Sequence, residues 1–104
     1  MPSLYDFSMR IRNLIGSKKY KDALAYFKAE KKQFTDVQIA NNEYLVSDIL
    51  SCLRRANYLD AGFQFLKTYG IEINDATKER ISTAYGWLLW SKYKSENLNT
   101  STSE

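Results

Sequence analysis

Apolar residues recur along this chain at the spacing of one helix face, broken by short polar turns. Leu4, Phe7, Ile11, Leu14 and Ile15 form one such stripe. Ser3 followed by Asp6 makes a helix start, a hydroxyl cap with an acidic residue three places on, and Gly16 is placed to end the helix. Helix one is thus expected over 4–15. Helix two begins near Lys19, with Tyr20, Ala23, Leu24 and Phe27 on one side and Lys21, Asp22, Lys28 and Lys31 on the other. It runs out near Gln33 and Phe34. Thr35 or Asp36 caps a third helix that carries Val46, Ile49, Leu50 and Leu53 on one stripe, widened by Leu45 and Cys52. An apolar arc that wide predicts a helix in the middle of a bundle.

A fourth helix near 58–69 carries Tyr58, Ala61, Gly62, Phe65 and Tyr69, and Gly70 offers a left-handed cap with Ile71 as its hydrophobic follower. Asn74 or Asp75 caps a fifth, running through Ile81, Ala84, Tyr85 and Leu88 towards Lys94. The segment 97–104, Asn97 to Glu104, is polar and rich in serine and threonine, which predicts a disordered tail behind a folded domain of residues 1–96. Pro2 is the one proline, so nothing forces a break inside any helix.

The chain repeats itself. Tyr20-Lys21-Asp22-Ala23 returns as Tyr58-Leu59-Asp60-Ala61, and Phe27 returns as Phe65, an offset of 58 − 20 = 38 residues. Carried backwards, the offset pairs Ile15 with Leu53 and Ile11 with Ile49. Self-similarity at such a period marks stacked helical hairpins. Alanine lets the second helix approach the first closely, and phenylalanine one turn later fills the groove beside it.

This pattern resembles the tetratricopeptide-like family of helical repeats, in which an aromatic residue opens the second helix and an alanine and a further aromatic follow. Tyr20, Ala23 and Phe27 take those places, and so do Tyr58, Ala61 and Phe65. The family's small residue in the first helix is replaced by Ile11 and Ile49, its later alanine by Glu30 and Thr68, and the closing proline is absent. The resemblance covers about 11–69. It implies an all-α, five-helix, right-handed α–α solenoid of hairpins closed by an unpaired helix, and a role in holding partners. Ala84-Tyr85-Gly86-Trp87-Leu88-Leu89 resembles helices of repeat-containing proteins in bacterial conflict or phage-defence systems.

Composition narrows the chemistry. The 104 residues include no histidine and a single cysteine, Cys52. That removes the commonest general base, a zinc or iron–sulfur site of the usual type and an internal disulfide. Cys52 lies in an apolar run and reads as core. The four glycines, at 16, 62, 70 and 86, are too scattered for a phosphate loop. The expectation is a non-enzyme with no cofactor, metal or small-molecule substrate. No apolar run approaches the length of a membrane span, and Asp6, Arg10 and Arg12 interrupt any signal-peptide pattern. A cytoplasmic location is the default.

Two sets of residues remain for a partner. Lys18, Lys19 and Lys21 cluster at the first interhelix turn, with Arg54 and Arg55 at the equivalent turn of the second repeat. Cations near helix C-termini complement the helix dipole; two basic turns at one end of a solenoid also form a stripe for phosphates. The formal net charge of +3 permits nucleic acid without requiring it. Trp87, Trp90 and Tyr93 flank the apolar stripe of the last helix. If nothing covers them, they make an aromatic end surface for a partner protein or a second copy of the chain. The sequence thus points to a protein-interaction adaptor, with a nucleic-acid-binding accessory protein, of a bacterial conflict or phage-defence system, as the alternative.

Overall fold

The computed structural model describes residues 3–102, with side chains described through residue 97. Among the described residues the secondary structure is entirely helical: α1 (Leu4–Gly16), α2 (Tyr20–Glu30) with a 3-10 turn (Lys31–Gln33), α3 (Asp36–Ala40), α4 (Glu43–Arg55), α5 (Leu59–Thr68) and α6 (Glu79–Thr102). Six α-helices stand where five were expected, because the third expected helix is two. Thr35 and Gln38 close a capping box at the start of α3. Asn42 then starts a fresh helix by accepting the Leu45 N–H at 3.0 Å.

The last helix also begins later than expected. Asn74 does not cap it but folds the preceding loop on itself, its Oδ1 accepting the Ala76 N–H while Thr77 Oγ1 accepts the Asn74 N–H, both at 2.8 Å. The backbone of α6 continues through Thr102, into the segment 97–104 expected as a tail. Residues 103 and 104, and the side chains after 97, lie outside the described residues. Ser3 caps α1 as expected, accepting the Asp6 N–H at 3.1 Å. At the end of α5, Gly70 adopts φ +63 and the Ile71 N–H reaches back to the Leu66 carbonyl. At the end of α1 the left-handed residue is Lys18, not Gly16.

Helix α4 is the centre of the fold. Every other α-helix packs on it, and Leu45, Val46, Ile49, Leu50, Cys52 and Leu53 are buried there, as the width of its apolar arc predicts. The remaining core comes from Phe7 and Ile11 of α1, Ala23 and Phe27 of α2, Ile39 of α3, Phe65 and Leu66 of α5, and Ile81, Ala84 and Leu88 of α6.

The hairpins α1–α2 and α4–α5 correspond at an offset of 39 residues, not 38. Helices α1 and α4 are each 13 residues long and begin 39 apart (43 − 4 = 39). Their caps Ser3 and Asn42, their left-handed residues Lys18 and Asn57, and their closing bonds (Lys19 N–H to Leu14 O, Tyr58 N–H to Leu53 O) all keep that offset. Ala23 therefore matches Gly62, and both are buried; Ala61, the expected partner of Ala23, faces solvent. One residue of slip turns a helix by about 100°, which moves Ala61 out and Gly62 in. A Cβ on Gly62 would stand 2.8 Å from Leu88 Cδ2, so α5 approaches α6 closely at this point.

Candidate functional site

Three surface regions bring functional side chains together. The first joins the two basic turns. Lys18 and Lys19, from the turn before α2, and Lys21, from its first turn, meet Arg55, from the end of α4, around a depression of about 380 Å³ also lined by Tyr20, Asp22 and Ala56. Arg55 is fixed by its aromatic neighbour: Nη1 donates to Tyr20 Oη at 3.0 Å, and the guanidinium lies 5.5 Å from the ring centroid. Lys21 Nζ lies 5.9 Å from the Tyr58 ring. The N-cap Lys19 makes no side-chain bond to the first turn of α2. Four cations thus face one carboxylate at a helix N-terminus, where the dipole also favours an anion.

Arg54 does not belong to this set. Its guanidinium lies 5.7 Å from the centroid of Trp87 on α6, and burial, then the neighbouring Arg55, pull its pKa down. Adjacent residues on a helix point about 100° apart, so one arginine of the pair turns to α2 and the other to α6.

The second region is the free side of α6. Trp87 is 54%, Trp90 54%, Tyr93 58% and Leu89 44% exposed, while Ile81, Ala84 and Leu88 hold the opposite side in the core. Trp90 and Tyr93 stack, with centroids 6.0 Å apart and planes 27° from parallel. Helix α5 does not cover these rings. Its contacts with α6 include Gly62 against Leu88, Phe63 edge-on to Tyr85, and Asp60 and Phe63 beside Lys92.

The third region crosses α1, α4 and α6, and sequence reasoning missed it. Asp48 is buried on α4. Its Oδ2 lies 3.7 Å from Arg12 Nε and makes no hydrogen bond. Arg12 and Arg80 both pack on the Tyr44 ring, at 5.4 and 4.5 Å from its centroid. A hollow of about 580 Å³ adjoins Tyr44 on the α1 side, and one of about 520 Å³ lies between α4 and α6, bounded by Asp48, Arg80 and Trp87. Burial raises the Asp48 pKa above its usual 3.8, and Arg12 and then Arg80 work against that rise. The one local signal was a lone carboxylate inside the apolar run from Leu45 to Leu53.

This carboxyl has a consequence for stability. Because its pKa is raised in the folded state, the fold keeps a proton that the unfolded chain has already released. Stability therefore falls as pH rises from 3.8 through the raised value. Asp48→Asn is expected to remove that contribution. In urea titrations across pH, the variant should gain on the wild type as pH rises above 3.8. An opposite trend would mean that the pairing with Arg12 and Arg80 outweighs burial.

Among the described residues, no group of three or more histidine, cysteine, aspartate or glutamate side chains is placed to hold a metal, and no helix is long and apolar enough to cross a membrane. Cys52 is buried, and burial first, then Asp48, push its thiol up to about 12; at neutral pH it stays protonated and unreactive. Comparison of the chain with protein-family models, with curated proteins and with solved structures finds no match in any of the three.

Proposed function

We propose that this chain is a non-catalytic adaptor that binds a partner protein through a helical-repeat surface, the helices forming a right-handed solenoid of tetratricopeptide-like hairpins in the cytoplasm. The observation that carries the reading is the aromatic side of α6: Trp87, Trp90, Tyr93 and Leu89 are all close to half exposed on one helix. Tryptophan and tyrosine are the side chains that most often anchor protein interfaces, and the solvent-facing side of a helix with no partner is normally polar. The lack of any histidine fits a binding role.

A second reading, a nucleic-acid-binding accessory protein, draws on one observation, the meeting of Lys18, Lys19, Lys21 and Arg55 in one depression. One experiment separates the two. The full chain and a Trp90→Ser variant, checked for folding by circular dichroism, serve as baits, and each is titrated with a labelled oligonucleotide. A protein retained by the wild type and lost with Trp90→Ser supports the adaptor. Equal recovery by both baits removes the α6 surface. Oligonucleotide binding that weakens steeply with salt, and is lost in Lys19→Glu with Arg55→Glu, moves the function to the basic depression.

A further inference from the structure

We propose that two copies of this chain associate through α6, packed antiparallel, with Trp90 of each copy seated over Gly86 of the other. This rests on the reading that the aromatic side of α6 binds protein, and it names that protein as a second copy. The surface complements itself in shape. At about 100° per residue, Gly86 and Trp90 lie one turn apart on the side of α6 turned away from Leu88. Gly86 is exposed, with no atom within 4 Å of the place a Cβ would occupy. A gap one side chain deep thus sits one turn before a protruding indole. A closed twofold contact needs each surface to supply what its counterpart lacks. Antiparallel helices related by an axis level with residue 88 meet this need, since each indole then faces a glycine. A parallel pair would set indole against indole and glycine against glycine.

Charge also allows the contact. Ser82, Thr83, Gly86, Leu89, Trp90 and Tyr93 bear no formal charge. Two of the neighbouring cations are drawn to other helices: Lys92 Nζ lies 3.7 Å from Asp60 Oδ1 and 5.0 Å from the Phe63 ring, and Arg80 packs on Tyr44. The third, Lys94, is exposed one turn after Trp90 and, with the axis level with residue 88, stands level with the uncharged Ser82 of the second copy. A chain with a net charge of +3 can therefore meet its copy here without setting like charges face to face.

Area sets the strength. With aromatic side chains offering about 150–250 Å² each, the half-exposed Trp90, Tyr93 and Leu89 leave roughly 250–350 Å² of apolar surface per copy. Two copies together stay below the roughly 1,200 Å² at which stable specific interfaces begin. The dimer is accordingly weak and concentration-dependent, with a Kd in the micromolar range or above.

Sedimentation equilibrium of the full chain from micromolar to millimolar concentration, with tryptophan emission recorded in parallel, tests this. Trp87 lies beside Arg54, outside the contact, so emission is read in a Trp87→Phe background, in which Trp90 is the one remaining tryptophan. The wild type should dimerise as concentration rises, with Trp90 emission shifting to the blue. Gly86→Glu fills the gap and sets a carboxylate beneath each indole, yet improves helix propensity; it should stay folded and associate at least about tenfold more weakly. A dimer that Gly86→Glu leaves intact overturns the proposed contact. A wild type that stays monomeric with water-exposed emission overturns self-association and leaves the binding of a different protein standing. Blue emission in the dilute monomer overturns both, since the chain itself would then cover the rings.

Discussion

Phe7→Ala is expected to remove about 3–5 kcal/mol of stability, a large share of the about 5–15 kcal/mol typical of a folded domain. Phe7 is fully buried on α1 and meets three other rings: Phe34 at 5.0 Å, Tyr26 at 5.6 Å and Phe27 at 5.8 Å between centroids. Phe27 continues to Phe65 of α5 at 5.9 Å, and Phe65 to Tyr69 at 4.9 Å. One string of rings therefore joins the first hairpin, the turn after α2 and the second hairpin. Truncating Phe7 opens a cavity at the junction and removes tilted and stacked ring contacts worth about 0.5–1.5 kcal/mol each. A domain this small buries only about two-thirds of its unfolded surface, so little remains to compensate. Urea denaturation followed by near-ultraviolet circular dichroism measures the loss, with Tyr5→Ala, 70% exposed on the same helix, as a nearly neutral control. A loss below about 1 kcal/mol would place Phe7 outside the core.

The helices were legible because their signals are local. The Ser3 cap, the Gly70–Ile71 ending, the breadth of the α4 stripe and the span of α5 each depend on residues a few positions apart. The boundary inside the third expected helix was missed because its apolar stripe continues across Asn41 and Asn42 in phase, and a side-chain cap competes with helix continuation without disturbing periodicity. Lys18 was missed as a left-handed residue because lysine has no preference for that region; Asn57, its counterpart, does tolerate it. The cluster of Arg12, Tyr44, Asp48 and Arg80 had one local signal, the carboxylate of Asp48 inside the apolar run of α4; its members sit on three helices and meet only after folding. The basic depression was partly legible. Two adjacent arginines at one turn looked like one charge cluster, but the helix sends Arg55 to Tyr20 and Arg54 to Trp87.

The one-residue difference in repeat period decides a second large effect. By letter, Tyr-x-Asp-Ala aligns Ala23 with Ala61; by backbone, the caps and left-handed turns align Ala23 with Gly62. The two alignments disagree about which small residue of α5 lies at a helix contact. Gly62 is buried, with the Leu88 Cδ atoms 2.8 and 3.0 Å from the position of a Cβ, and Leu88 is itself fully buried, so it has no solvent to swing into. Gly62→Leu must therefore force α5 away from α6. Overpacking of this kind costs about 1–3 kcal/mol, offset in part by up to about 1 kcal/mol of helix propensity gained over glycine. Ala61→Leu adds a side chain on the solvent side of the same turn and should change stability by no more than about 0.5 kcal/mol. In a domain of about 100 residues each kcal/mol moves the Tm by about 4–8 °C, so thermal melts resolve the pair. A lower Tm for Gly62→Leu with an unchanged Ala61→Leu supports the 39-residue register. The reverse order would restore the 38-residue alignment and make Ala61 the residue that lets the helices close.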